Sequence, residues 1–188
     1  MRDKCILPFL ITERLEFFQL TQADLPELEI LLGDTEIMYA WEHGFTKIES
    51  QAWLNENLRR YSSDGYSYWA VRKKNDGSLI GVMGILKEVA EGKQYIGIGY
   101  ILNKKYWGQG YAGEGTEALC QYAFRKLQLQ TLTAQVRTNN FASQHIAEGL
   151  GMKAMCNFVK IYRGQEMPHF LYTLDRDKWL KTTSNGTV

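Results

Sequence analysis

Three glycines within six residues, Gly108, Gly110 and Gly113, lie between an apolar run, Tyr95 to Leu102, and an amphipathic stretch, Ala112 to Leu127. No other segment restricts the fold of this chain so tightly. A strand that empties through a glycine turn into a helix aims several backbone N–H groups at one point. The positive end of the helix dipole adds to their field, so the point is a seat for phosphate oxygens. Cβ atoms there would block both the tight turn and the approach of a bulky anion. The segment Tyr106-Trp107-Gly108-Gln109-Gly110-Tyr111-Ala112-Gly113-Glu114 therefore predicts a phosphate-bearing ligand held mainly by main chain.

The flanking sequence predicts a sheet around that turn. Ile11 to Leu20 alternates as a strand, and Thr21 with Asp24 marks a helix start before the stripe Leu25, Leu28 and Leu32. Thr46 and Glu49 form a capping box for a second helix carrying Leu54, Leu58 and Tyr61. Tyr66 to Lys73 and Ser78 to Lys87 are strands joined at Asn75-Asp76-Gly77, and Glu91-Gly92-Lys93 turns the chain into Tyr95 to Leu102. Thr131 to Val136 follows a helix and should pair in parallel with the strand before it. A shorter helix spans Asn140 to Leu150, and Ala154 to Tyr162 with Pro168 to Leu174 close the chain as a hairpin. These patterns predict one α/β (α+β) domain over residues 1–188, with a core of about 10–180 and a frayed tail at 181–188. Its central sheet is mixed and mostly antiparallel, of about seven strands, with helices on both faces.

Composition narrows the partners. The chain has 188 residues, 22 basic and 21 acidic, for a net charge of +1. That balance gives no general attraction to nucleic acid or an anionic membrane. Cys5, Cys120 and Cys156 show no paired spacing, and His43, His145 and His169 are too scattered to read as a metal motif. Neither a signal peptide nor a bilayer-spanning run is visible, which points to a cytoplasmic monomer or homodimer without metal.

Gly108-x-Gly110-x-x-Gly113 also spells the dinucleotide-binding fingerprint, and with Arg137 it would suggest NADP. The context does not fit: Asn103 to Trp107 separate strand from glycine, and Val136 is followed by Arg137 where an acidic residue is expected. A P-loop would need Gly-Lys-Ser/Thr, which is missing.

From Thr12 to Trp179 the chain resembles the GNAT superfamily of acyl-coenzyme A-dependent N-acetyltransferases, and most of all the branch of ribosomal-protein N-terminal acetyltransferases. Four blocks carry the resemblance: Thr12-Glu13-Arg14-Leu15 with Asp24, Gly99-Tyr100-Ile101-Leu102, the Tyr106–Glu114 segment, and Asn140-Phe141-Ala142-Ser143 with Leu150-Gly151-Met152. It implies acetyl-CoA as co-substrate and an amine acceptor, a protein N-terminus or a small molecule. Ile101 and Leu102 would offer strand backbone to the pantetheine arm. N–H groups from Trp107, Gly108, Gln109, Gly110, Tyr111, Ala112 and Gly113 would cradle the diphosphate, and Asn140 and Ser143 would touch the cofactor. Trp41 and His43 would line the acceptor pocket.

Acetyl transfer to an amine needs a base for the amine, a donor for the oxyanion and an acid for the departing thiolate. Many members place the acid, a tyrosine, where this chain has Ala147, so Ser143 is the substitute. They often place a glutamate on the fourth strand, where this chain has Gly97. Glu42, His43, Glu88, Glu166 and His169 remain as bases, with Glu42 and His169 put forward alongside Ser143 as the catalytic set, and a water chain as a competitor. A non-catalytic coenzyme A-binding module is the alternative that these two departures leave open.

Overall fold

The computed structural model describes residues 7–184. Eight strands appear: β1 (Leu10–Ile11), β2 (Leu15–Gln19), β3 (Tyr68–Lys73), β4 (Leu79–Ala90), β5 (Lys93–Leu102), β6 (Thr131–Arg137), β7 (Lys153–Tyr162) and β8 (Gln165–Asp175). Five helices accompany them: α1 (Leu25–Gly33), α2 (Lys47–Ser63), α3 (Tyr111–Arg125), α4 (Phe141–Gly149) and α5 (Arg176–Ser184). The strands are ordered β1-β2-β3-β4-β5-β6-β8-β7 in a mostly antiparallel sheet. β5 and β6 pair in parallel with Gly97 opposite Thr133, as a helical crossover between them requires.

The strand total among the described residues is eight where the sequence suggested about seven. The expected first strand breaks at Thr12, whose hydroxyl accepts the Leu15 N–H at 2.9 Å, and this local turn detaches β1 from β2. The expected frayed tail is helical as far as Ser184, because α5 continues directly from β8. Asp175 Oδ1 accepts the Asp177 N–H at 3.1 Å, satisfying one of the helix's first donors, and Trp179 is buried. Residues 185–188 of that tail lie outside the described residues.

The chain divides into two compact units. One comprises the described residues up to Gly84 with Tyr100–Thr116; the other comprises Ile85–Gly99 with the described residues from Glu117 onward. In the first unit β3 carries four successive buried residues, Tyr68 to Val71, and β2 adds Leu15 and Phe17, both fully buried. The capping box predicted for α2 is present: Glu49 N donates to Thr46 Oγ1 and Thr46 N donates to Glu49 Oε2 at 2.8 Å. Arg72 is held by Asp24 and Glu27 and donates to Gly77 O at 3.0 Å, which ties the β3–β4 turn to the start of α1. In the second unit β6 alternates, with Leu132, Ala134 and Val136 buried on one face, while Thr133, Gln135 and Arg137 share the other.

Candidate active site

The glycine turn lies wholly in the first unit. A short 3-10 turn, Lys104–Tyr106, ends β5, and α3 opens at Tyr111. Between them Gly108 and Gly110 adopt φ of 71° and 81°, left-handed backbone that a side chain rarely tolerates. The first bond of α3 runs from Glu114 N to Gly110 O at 3.1 Å. The Tyr111, Ala112 and Gly113 N–H groups precede that ladder, so they stand at the positive end of the helix. This is the geometry that the spacing of the glycines predicted.

Trp107 departs from its expected part. Its main-chain N–H donates to Lys104 O at 3.1 Å and is therefore committed within the 3-10 turn. Its indole Nε1 donates to Leu102 O at 2.8 Å, locking the end of β5 to the turn. Gln109 Nε2 donates to Lys105 O at 2.9 Å and braces the same segment. Trp107 thus shapes the turn, and its own donors are spent within it.

A clamp missed by the sequence reading fixes this turn from outside. Glu114 accepts the Thr12 hydroxyl at 2.5 Å, the Arg14 main-chain N–H at 2.9 Å and Arg14 Nε at 2.6 Å. Arg14 Nη1 donates to Gln109 O at 3.0 Å, and its guanidinium lies 4.3 Å from the Tyr111 ring centroid. Burial alone would push the Glu114 carboxyl upward, but the Thr12 and Arg14 donors outweigh it and hold the group below the usual range. Thr12-x-Arg14 and Glu114 all stand in the blocks quoted above. Only a signal linking positions a hundred residues apart would have revealed that they meet.

Trp41, Glu42 and His43 follow one another in the same unit. Glu42 ends a 3-10 turn in left-handed backbone, with φ of 60°. His43 Nδ1 lies 3.0 Å from Trp41 O and Nε2 lies 3.3 Å from Glu49 Oε1, so both ring nitrogens have neighbours that fix the ring. His43 is positioned as a wall of its loop more readily than as a mobile base.

In the second unit Asn140 caps α4, its Oδ1 accepting the Ser143 N–H at 3.0 Å. The two residues named for the cofactor are therefore adjacent, and Ser143 occupies the first turn of that helix. Ala147 is buried and offers no proton to donate. His169 lies on β8, 7% exposed, with Nδ1 2.7 Å from Met167 O and its ring 5.4 Å from that of Phe158. Burial holds its pKa below the ordinary value, with Lys160 and Arg137 adding to the effect. His169 thus reads as a packed, neutral histidine. The sign of its linkage follows: below about pH 6.5 the unfolded chain binds a proton that the folded site resists, so stability falls as pH drops through that value. Denaturant titrations of His169→Gln between pH 7.5 and 5.5 should show a shallower loss than wild type.

Cys120 is buried, and burial, with Glu117 beside it, pushes its thiol up to about 12. A thiolate nucleophile at neutral pH is thereby excluded at this position. Among the described residues no cluster of three or more His, Cys, Asp or Glu could hold a metal, and no described helix is long and apolar enough to cross a membrane.

Residues 14–153 match the family described as Acetyltransferase (GNAT) domain, and the chain belongs to this family of acetyl-CoA-dependent N-acetyltransferases. Among its relatives is an uncharacterized Bacillus subtilis protein, YkkB, 30% identical over 164 residues that cover 87% of this chain and 93% of YkkB. A spermidine N-acetyltransferase from Vibrio cholerae, solved with CoA and spermine, has a TM-score of 0.72 at 19% identity and covers 88% of this chain and 98% of its own. RimL, a ribosomal L7/L12 α-N-protein acetyltransferase solved with coenzyme A, has a TM-score of 0.74 at 18% identity, covering 90% and 97%.

Proposed function

We propose that this chain moves an acetyl group from acetyl-CoA directly to the nitrogen of a primary amine while both substrates are bound. One observation carries the reading: α3 begins immediately after two left-handed glycines, leaving the Tyr111, Ala112 and Gly113 N–H groups ahead of the first helical bond. Three main-chain donors at a helix N-terminus suit the charge of a diphosphate. In this assignment Gly108, Gln109 and Gly110 close around the diphosphate, and Ile101 and Leu102 present strand backbone to the pantetheine arm. Trp107 fixes their exit, and Asn140 and Ser143 take the cofactor contacts of the second unit.

Direct transfer is favoured because Cys120 is held as a thiol, which removes one route to an acetyl-enzyme. The acceptor belongs to one of two classes, a protein N-terminus or a small polyamine-like amine, the classes named for the two solved neighbours. The test is thiol release from acetyl-CoA across a panel holding spermidine, spermine and short peptides with Ser or Ala N-termini, each against a no-acceptor control. Acceptor-dependent thiol release supports the proposal. A protein whose melting temperature does not respond to millimolar CoA, and which releases no thiol with any amine, overturns it.

A further inference from the structure

Gly97 on β5 has a carboxylate where its side chain would stand. A Cβ at this position would lie 2.2 Å from Glu88 Oε2 and 3.0 Å from Glu88 Cδ, with Thr133 Oγ1 at 3.4 Å. Glu88 comes from β4, is half-buried as a residue, and its Oε2 is buried. The absence of a side chain at Gly97 is thus what admits the Glu88 carboxylate to this face of the sheet.

We propose that Glu88 is the general base of the acetyl transfer, its carboxylate delivered from β4 through the space that Gly97 leaves open. The inference rests on the acetyltransferase reading above. Three observations converge on it. First, the surroundings suit a cation or an N–H donor. The Thr133 hydroxyl donates to Ile96 O at 3.2 Å, so it is committed to the backbone beside the carboxylate. Gln135, the next residue on that face of β6, donates its Nε2 to Val89 O at 3.4 Å; its buried Oε1 accepts no hydrogen bond from the described residues. A carboxylate and an unused amide oxygen on one face would accept from an ammonium or from a water that relays its proton.

Second, β5 is one strand from Lys93 to Leu102. Gly97 belongs to the same strand as Ile101 and Leu102, the residues assigned above to the pantetheine arm. Third, the two histidine candidates are fixed elsewhere. His43 has both ring nitrogens beside Trp41 O and Glu49, and His169 lies packed against Phe158 with Nδ1 at Met167 O.

Glu88 takes one proton from the ammonium, directly or through one water. The neutral amine attacks the thioester carbonyl, forming the C–N bond. The C–S bond breaks, the second nitrogen proton ends on the thiolate sulfur, and Glu88 returns its proton to solvent.

Thiol release with the most active amine of the panel, for wild type and three variants, tests the assignment. Glu88→Gln keeps shape and removes basicity; its kcat should fall about 100-fold while the KM for acetyl-CoA stays within about twofold, the split expected of a lost proton acceptor. Gly97→Ala adds a methyl whose obstruction is the end of a flexible side chain, so the carboxylate moves and the backbone does not. Its kcat should fall at least about tenfold with an unchanged melting temperature. The exchange Glu88→Ala/Gly97→Glu should recover at least about a tenth of wild-type kcat by presenting a carboxylate from β5 instead. Glu88→Gln at more than about a third of wild-type kcat overturns the proposal, as does Gly97→Ala at full activity. If wild type releases no thiol with any amine, the transferase reading fails and the base fails with it. If wild type and Glu88→Gln turn over alike, only the base fails.

Discussion

Gly110→Val is expected to raise the KM for acetyl-CoA by about 100-fold, the equivalent of roughly 3 kcal/mol of lost binding. Position 110 has φ of 81°, which a β-branched residue adopts only at a cost, and its Cβ would sit 3.4 Å from Arg14 Nη2. Relief of that strain rotates the peptide leading into Tyr111, and with it the donors at the start of α3. Gly65→Val is the control. Gly65 has the same left-handed backbone, φ of 82°, with nothing within 4 Å of a Cβ. It should therefore carry a similar conformational penalty, about 1–2 kcal/mol of stability, and leave the KM for acetyl-CoA unchanged. Steady-state kinetics and thermal melts on the two variants separate a folding effect from a binding effect. Equal KM values for Gly110→Val and wild type would contradict the assignment of the diphosphate to this turn.

The second large effect is expected from Glu114→Ala. The substitution strands the Thr12 hydroxyl, the Arg14 main-chain N–H and the Arg14 guanidinium together. Losing a partly buried acceptor shared by three donors should cost about 2 kcal/mol of stability and raise the KM for acetyl-CoA several-fold, because Gln109 O loses its brace. The contribution also depends on pH. The Glu114 carboxyl is held below its ordinary value of 4.5, so its stabilising effect is complete above that value and fades as pH falls through the lowered one. Acid unfolding of wild type should show a loss between pH 4.5 and the acid limb that Glu114→Ala lacks. Parallel acid curves for the two proteins would remove Glu114 from the account.

What could be read in advance was whatever local chemistry dictates. The capping box at Thr46 and Glu49, the parallel β5–β6 pair and the glycine turn ahead of α3 each follow from residues a few positions apart, and each stands as expected. Features made by distant residues did not show. Nothing near Glu114 announces Thr12 and Arg14, and nothing near Trp107 announces that its indole closes on Leu102. The Glu88–Gly97 pair lay between these cases. Glu91 and Gly92 both take left-handed backbone, as a two-residue hairpin turn requires. Such a turn makes 88 the diagonal cross-strand neighbour of 97, within reach of a long side chain. Reading position 97 alone registers a missing carboxylate; reading it with its diagonal neighbour finds one. The break at Thr12 and the continuation of α5 to Ser184 were illegible for a similar reason, since side-chain hydrogen bonds and the burial of Trp179 decide them.

The Arg14–Glu114 clamp joins two distant stretches of the chain. Because Thr12 and Arg14 grip the start of α3, the link between β1 and β2 is mechanically coupled to a turn encoded some hundred codons downstream. Changes at Thr12 or Arg14 would therefore be felt at the first turn of α3, far from them in sequence.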